Sequence, residues 1–410
     1  MRKCIYLIAV VLFVACNNQN LNEEKPLETN IDVSLIKQVS APGLQADAPF
    51  FTMNQDGAPV LSWTEGSNDS ILLNYGSFVD SSFQVNSIDK SIGLSSHHES
   101  MPKLAFKSDG TIMAMFQKKR PTEENRFAGY IQYTMSEDSG GTWSTPRYLH
   151  QDTSAGIGRS FFDVEQLSNG EIGAVWLDGR KGGRSGSTLF FSKTEKYGGF
   201  ESELEIAQKT CQCCRTELFV DDKESINVVF RDIIQDSIRD FAIVRSTDLG
   251  RTFTEPKVIS EDNWVISGCP HTGASMSSIN YGDISSLCAT WYTMGGEPGV
   301  YFASSKDYGN SFEDRILLDK GAKHPQALGL SDDRLCFVWD EVVEKEGSYF
   351  ARVVLEIHYG SERNRIYLSE DGVEANYPVL ARTDESALVV AWTQGKSDST
   401  SIQYVQVKLN

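Results

Sequence analysis

The sequence predicts an all-β protein, a β-propeller of four-stranded blades, from two features that repeat along the chain. The first is an aromatic residue near the end of a strand-like apolar run. The second is a residue fourteen positions earlier, usually proline, that opens an alternating hairpin. The aromatic positions are Trp63, Phe116, Trp176, Phe230, Trp291, Trp339 and Trp392. Because a hairpin pattern that recurs along the chain is the signature of sheets arranged around a central axis, the seven copies predict seven blades.

The fifth unit departs from the common spacing. Its proline, Pro270, stands twenty-one residues before Trp291, so we expect a seven-residue insertion in this hairpin. This alignment gives Cys269 the position that Arg215 holds in the fourth unit and Tyr377 holds in the seventh.

Each unit continues with a third and a fourth strand, but the seventh unit runs out of chain before its fourth. The expected fourth strands lie near Gln84–Ile88, Pro146–Leu149, Leu204–Ala207, Lys257–Ile259, Arg315–Leu318 and Arg365–Leu368. The segment Val33–Val39 precedes the first unit and has the pattern of a strand. We expect it to complete the seventh blade, which closes the ring and removes an open sheet edge.

Three of the third strands end in the same motif, S-x-D-x-G-x-T/S-W/F, known as the Asp box. The copies are Ser136–Trp143, Ser246–Phe253 and Ser305–Phe312. The motif describes a local turn in which the aspartate accepts N–H bonds, the glycine adopts a positive φ and the aromatic ring packs beneath. Three copies at blade spacing support the propeller.

The N-terminus predicts export and a lipid anchor. Arg2 and Lys3 precede an apolar run from Ile5 to Ala15 that is too short to span a bilayer. Ala15 before Cys16 resembles a bacterial lipobox, with ordinary secretion as the alternative. We therefore divide the chain into a signal peptide (1–15), a polar tether (16–30) and the propeller (31–410). The lipidated residue is Cys16 and the location is the bacterial cell envelope.

The charge of the chain limits its partners. A formal net charge of −18 argues against nucleic acid or an anionic lipid surface, so we expect membrane contact only through the anchor. A glycan or small-molecule ligand remains compatible with this charge.

The repeat register predicts which residues meet around the central channel. The inner strands begin, and the second strands end, on one face of a propeller. The candidate binding residues on this face are His98, Asp178, Asp232, His271 and His324.

The same face gathers cysteines, for which two interpretations stay open. Cys211, Cys213 and Cys214 form the sequence CQCC, and Cys269 lies in GCPHTG. One interpretation is disulfide bonding, for example between Cys269 and one CQCC cysteine. The other is a copper or zinc site completed by the histidines, since soft sulfur and imidazole suit these metals. We favour disulfides, and nothing in the sequence requires a cofactor.

The Asp boxes, the segment Val175–Arg180 (VWLDGR) and the blade spacing together resemble the sialidase superfamily of BNR-repeat proteins. The CxCC and GCPHTG motifs resemble a set of uncharacterised, exported, sialidase-like proteins. Familiar sialidases have six blades, which makes six the alternative count. The resemblance implies three arginines that clamp a carboxylate, an aspartate acid/base and a Tyr–Glu nucleophile. Asp47-Ala48-Pro49 stands where the family has its first arginine, in Arg-Ile-Pro.

Other residues could fill the roles that the resemblance implies. The candidate nucleophile is Tyr377, polarised by Glu341 or Glu217. The candidate clamp residues are Arg180, Arg184, Arg215 and Arg231, although Arg180 could simply pair with Asp178.

Three hypotheses follow. The preferred one is an envelope propeller that binds a ligand, such as a glycan, at its central rim without a complete sialidase arginine set. The first alternative is an exo-sialidase or related glycoside hydrolase, and the second is a Cys/His metal-binding or redox module. The sequence leaves open whether the protein is an enzyme.

Overall fold

The protein folds as a seven-bladed β-propeller. The computed structural model describes residues 31–67, 70–181, 186–200, 202–281, 284–330, 333–396 and 399–409, which form seven antiparallel sheets. The all-β class and the count of seven blades are thereby confirmed. No helix within these ranges is long and apolar enough to cross a bilayer. The predicted signal peptide, tether and lipidation site at Cys16, together with Arg184, lie outside the described residues.

The strands follow one another blade by blade, from the channel outwards. Two short strands, β1 (Ile31–Val33) and β2 (Lys37–Gln38), precede the first blade, and a short 3-10 helix (Asp89–Ser91) follows it. Blade 1 contains β3 (Ala46–Met53), β4 (Pro59–Glu65), β5 (Leu72–Val79) and β6 (Ser82–Ile88), and blade 2 contains β7 (Lys103–Phe106), β8 (Ile112–Lys119), β9 (Gly129–Ser136) and β10 (Arg147–Tyr148). Blade 3 contains β11 (Arg159–Gln166), β12 (Ile172–Asp178), β13 (Ser187–Lys193) and β14 (Leu204–Thr210). Blade 4 contains β15 (Glu217–Val220), β16 (Ile226–Arg231), β17 (Phe241–Ser246) and β18 (Lys257–Val258).

The remaining three blades have longer hairpins. Blade 5 contains β19 (Ser275–Tyr281), β20 (Ile284–Thr293), β21 (Gly299–Ser305) and β22 (Ile316–Asp319). Blade 6 contains β23 (Ala322–Gly329), β24 (Arg334–Lys345), β25 (Ser348–Tyr359) and β26 (Glu362–Tyr367). Blade 7 contains β27 (Ala375–Asp384), β28 (Ala387–Lys396) and β29 (Ser399–Leu409).

The N-terminal segment closes the ring as predicted. β1 pairs with β29 through Ile31 opposite Leu409, and β2 pairs with the same strand through Lys37 opposite Tyr404. The seventh blade therefore joins the two ends of the described chain, and its outer edge is covered by chain from before the first blade.

The repeated aromatic residues form the core between blades. Trp63, Trp176, Trp291, Trp339 and Trp392 are all less than 2% exposed. A buried tryptophan of this kind stabilises a fold by about 3–5 kcal/mol relative to alanine. The repeat read from the sequence is thus the packing repeat of the molecule.

The Asp boxes form the turns between third and fourth strands. In the first copy, Asp138 Oδ1 accepts the Thr142 N–H at 2.8 Å, while Ser136 Oγ donates to Asp138 at 2.8 Å and accepts the Gly140 N–H at 2.8 Å. The pKa of Asp138 falls to about 2 because of the hydrogen bonds from Thr142 and then from Ser136. The same pattern recurs around Asp248 and Asp307.

Four inner strands contain a bulge at the same point. Ala48, Phe161, His324 and Tyr377 have φ values of 56°, 51°, 50° and 53°, and the register of each strand shifts there. A non-glycine residue with positive φ in a bulge re-aims the side chain relative to the regular ladder. The bulges set the local geometry at the start of these strands, where they reach the channel.

The predicted insertion in the fifth hairpin is wrong in size and place. Fifteen residues separate Ser275 from its partner Thr290, whereas twelve separate Phe50 from Ser62 in the first blade. The hairpin is therefore three residues longer, not seven. The other residues lie in the loop before β19, so Gly273 rather than Cys269 occupies the position of Arg215.

Candidate functional site

The centre of the candidate site is a stack of three rings at the end of the channel where the inner strands begin, which we call the mouth. Tyr377 lies between His98 and His324. Its ring centroid is 4.3 Å from that of His98, with the two planes 7° apart, and 4.1 Å from that of His324, with those planes tilted by 38°. Two of these residues lie on the bulges of β23 and β27, whereas His98 comes from the loop before β7.

Two carboxylates hold the histidines of this stack. Asp47 Oδ1 lies 2.8 Å from Nδ1 of His98, and Asp340 Oδ2 lies 2.7 Å from Nδ1 of His324. Asp340 also accepts the backbone N–H of Tyr377 at 2.9 Å. A carboxylate at Nδ1 fixes the orientation of an imidazole ring, so the stack is pre-organised.

Two further histidines extend the mouth. The ring of His97 lies 5.8 Å from that of His98, 5.4 Å from that of His271 and 6.3 Å from that of Phe161. Four of the six histidines thus meet here, including the three that the register predicted. His97 was missed, although its position next to His98 in the sequence was an available signal.

The mouth shifts pKa values in opposite directions. Burial, followed by the charges of His98 and His271, lowers the pKa of His97. Burial also opposes protonation of His324, but the charge and hydrogen bond of Asp340 outweigh it and raise the pKa of His324. Burial and then the nearby carboxylates raise the pKa of Tyr377, so its hydroxyl stays protonated at neutral pH.

A buried ion pair lies beside the rings. Glu99 is 1% exposed, and its Oε2 accepts the Gly273 N–H at 2.8 Å and lies 3.7 Å from Nη1 of Arg215. Nη2 of Arg215 donates to the Ala274 carbonyl at 3.1 Å. A Cβ on Gly273 would lie 2.6 Å from the Arg215 side chain, so a glycine is required for this close contact.

A polar cavity of about 510 Å³ opens next to the mouth, between blades 1 and 2. It shares Asp47 with the ring stack. Its other lining residues include Glu65, Ser95, Ser96 and Lys118. A second cavity of about 410 Å³ lies within the channel, where it is lined by Glu165 and Glu217.

The sequence comparisons identify the family. A model described as a BNR repeat-like domain matches residues 84–390. The chain belongs to the BNR repeat-like family. No curated protein matches the sequence.

Solved structures share the fold of this BNR repeat-like protein at low identity. A protein of unknown function from Dyadobacter fermentans is 16% identical, with a TM-score of 0.51 over 76% of this chain and 94% of that one. The polysaccharide lyase Uly1 is 10% identical, with a TM-score of 0.53 over 90% and 91%. The NanB sialidase of Streptococcus pneumoniae is 10% identical, with a TM-score of 0.51 over 88% and 86%. At these identities the similarity shows the fold alone.

The guanidinium of Arg180 forms ion pairs with two carboxylates of the protein. Its Nη2 donates to Asp178 at 2.6 Å and its Nη1 donates to Glu203 at 2.5 Å. Asp178 is fully buried and also accepts Nε of Arg159 at 3.1 Å. Asp178 therefore has buried protein partners, and Arg180 forms with it the ion pair that the sequence offered as the alternative to a ligand clamp.

Arg231 is also occupied, deep between blades 4 and 5. It is 1% exposed, and its guanidinium donates to the carbonyls of Arg239 and Tyr292 and to Thr272 Oγ1. Asp232 beside it accepts the Ile233 N–H at 2.8 Å, and burial raises its pKa.

Glu341 is not the partner of Tyr377, which corrects the predicted pairing. It accepts Nε of Arg352 at 2.7 Å and lies 3.9 Å from Nη1 of Arg365. The physical reason is strand alternation, because Asp340 and Glu341 are consecutive residues of β24 and point to opposite sides. Asp340 is the carboxylate that contacts Tyr377, and it does so at the backbone N–H rather than at the hydroxyl.

The cysteines separate into a cluster and an isolated thiol. The Sγ atoms of Cys211, Cys213 and Cys214 all lie within 4.8 Å of one another, in the turn between β14 and β15. Cys269 is exposed in the loop before β19 and is not part of this cluster. Cys211, Cys213, Cys214 and Cys269 are free thiols, so the predicted disulfide between Cys269 and a CQCC cysteine is absent from the described residues.

Proposed function

We propose that this propeller binds a neutral, hydroxyl-rich glycan at its mouth. The observation that carries the proposal is the ring stack of His98, Tyr377 and His324. The imidazoles cover the faces of Tyr377, so a sugar ring would pack against the outer face of a flanking imidazole, while imidazole nitrogens and a protonated phenol exchange hydrogen bonds with sugar hydroxyls. Two proteins that share the fold are named a sialidase and a polysaccharide lyase, which supports a glycan as the ligand class.

The charges at the mouth favour a neutral ligand over an acidic one. Asp47, Asp340 and Glu99 contribute three carboxylates, against the guanidinium of Arg215, which already contacts Glu99, and the imidazole of His324, whose pKa is raised. An incoming carboxylate would meet net negative charge and no free bidentate partner. The mouth therefore selects against sialic acid.

The adjacent cavity gives room for the ligand. A volume of about 510 Å³ falls in the range of small-molecule sites, which is about 300–1,000 Å³. Because Asp47 both lines this cavity and holds His98, a bound sugar could contact the stack with one ring and fill the cavity with the next.

Ligand screening tests this proposal. Purified protein is screened against neutral and acidic oligosaccharides by saturation-transfer NMR, and affinities of hits are measured by calorimetry. We expect neutral ligands to bind, and Tyr377→Ala to weaken binding roughly 10-fold to 100-fold by removing the central ring. Tyr197→Ala is the matched control, since Tyr197 is 91% exposed on blade 3. Binding of acidic glycans alone, or equal loss in both variants, would refute the proposal.

A fluorogenic sialoside assay separates this function from a sialidase. We expect no turnover, because the raised pKa of Tyr377 keeps its phenol protonated and the guanidinium groups of Arg180, Arg215 and Arg231 have protein partners. Turnover that disappears in Tyr377→Phe would establish the hydrolase instead.

We also propose that the protein is an exported lipoprotein anchored through Cys16. The support is the sequence of residues 1–16, with its positive start, apolar run and Ala-Cys junction. Metabolic labelling with an alkyne fatty acid should mark the wild-type chain and not Cys16→Ser. Labelling of both, or of neither, would exclude lipidation at this residue.

A further inference from the structure

The cluster of Cys211, Cys213 and Cys214 has the dimensions of a metal site. Sγ of Cys211 lies 3.6 Å from Sγ of Cys213 and 3.9 Å from that of Cys214. A metal–sulfur bond of about 2.3 Å places the sulfurs of one site about 3.8–4.0 Å apart, whether the geometry is tetrahedral or trigonal. The three thiols are therefore already spaced to share one ion without movement of the backbone.

The number and type of donors select the ion. In the part of the chain that the structure describes, the cluster comprises three sulfurs, and no imidazole or carboxylate joins them within the same distance. Structural zinc sites take four protein donors, whereas Cu(I) is soft, prefers sulfur and is stable with three thiolates. The donor set thus favours Cu(I) over Zn²⁺.

The surroundings exclude water from the cluster. The cysteines are 3%, 6% and 1% exposed and pack with Phe161, Leu218 and Ile233 in the core between blades 3 and 4. The thiols therefore lie in an apolar setting that protects a Cu(I)–thiolate bond from solvent and oxidant.

We propose that Cys211, Cys213 and Cys214 bind a single Cu(I) ion as three thiolates. Binding exchanges the thiol protons for Cu⁺ and requires no electron transfer. This site is separate from the glycan site, and neither proposal depends on the other.

Cu(I) titration tests the site. The full-length protein is reduced and titrated anaerobically with Cu(I) in competition with a chromogenic Cu(I) chelator. We expect one equivalent to bind tightly, and Cys213→Ala to lower the affinity roughly 100-fold or more because a ligand is lost. The controls are Cys288→Ala, a buried free thiol in blade 5, and Cys269→Ala, an exposed thiol. Both controls should bind Cu(I) like the wild type.

X-ray absorption on the wild-type protein gives a second measurement that needs no variant. Three sulfur neighbours at about 2.2–2.3 Å are expected, with no nitrogen in the first coordination sphere. Failure of the reduced protein to bind Cu(I), equal affinity in Cys213→Ala, or a site with fewer than three sulfurs would each overturn the proposal. Tighter binding of Zn²⁺ than of Cu(I) would do the same.

Discussion

The outer turns and the mouth of this propeller are built on opposite principles. The three Asp boxes use the same residues for the same local hydrogen bonds, as the turns around Asp138 and Asp248 show. The equivalent mouth positions of the seven blades hold seven different residue types, and residues from several blades must meet to form the stack around Tyr377. The repeated parts maintain the scaffold, whereas the parts that vary between blades carry the chemistry.

Among the substitutions that test this comparison, we expect the largest loss of stability from one in an Asp box. In Gly250→Ala the new Cβ would lie 2.3 Å from the ring of Phe191 at a φ of +76°, so strain and overpacking should together cost about 3 kcal/mol. Gly309→Ala meets only flexible side-chain atoms at 3.2 Å and should cost about 1 kcal/mol, the strain alone. Urea unfolding measures both, and glycan binding should not change. Equal costs would show that packing beneath the turn is unimportant.

A smaller effect is expected at Arg180, which the family resemblance assigned to ligand binding. Arg180→Leu leaves the buried Asp178 with one cation fewer and should destabilise the fold by about 2 kcal/mol, with ligand affinity unchanged. Arg251→Leu on an exposed turn is the matched control and should be near neutral. A loss of ligand affinity without a loss of stability would move Arg180 into the binding site.

At the mouth, we expect a substitution to reduce glycan affinity more than it reduces stability. Asp47→Asn weakens the contacts to His98 and Thr393 and should cost only about 1 kcal/mol of stability. Glycan affinity should nevertheless fall, because the ring of His98 loses its orientation. Asp56→Asn, in an exposed turn of the same blade, is the control. Unchanged affinity in Asp47→Asn would remove Asp47 from the site.

The smallest expected effect is on the pH dependence of stability, which should change in opposite directions when two different histidines are substituted. The pKa of His324 is higher in the folded state than in the unfolded state. The ion pair with Asp340 therefore contributes its full stabilisation at pH values below the unfolded-state pKa. This stabilisation is lost as the pH rises through the folded-state pKa. His324→Asn should therefore cost more stability at about pH 5.5 than at about pH 8.5. Asparagine is chosen because it tolerates the positive φ at this position.

His150 supplies the contrast for this measurement. Burial, then the charge of Arg159, lowers its pKa to about 4, so the unfolded state takes up a proton first as the pH falls. His150→Asn should therefore cost less at the lower pH, the reverse of His324→Asn. The same slope for both variants would contradict the assigned environments.

Errors in predicting the mouth came from register rather than from residue type. Glu341 or Glu217 was predicted to polarise the hydroxyl of Tyr377, but Glu341 pairs with Arg352, and its neighbour Asp340 contacts the backbone N–H of Tyr377 because a one-residue step along a strand reverses the side chain. Cys269 was placed beside Arg215 because the loop before β19 was counted as part of the hairpin. His97 and Glu99 lie in the loop before β7, and their contacts to Phe161 and Gly273 link residues far apart in the chain.

The sequence by itself determined the scaffold: the blade count, the closing N-terminal segment and the Asp-box turns. These features depend on periodicity and on hydrogen bonds within a few residues, and both can be read along the chain. Only the tertiary structure decided which polar groups share the mouth and which arginines are already occupied. Several of those contacts join different blades, such as His98 with Tyr377 and Glu99 with Arg215, and bulges and loop lengths set the final direction of each side chain.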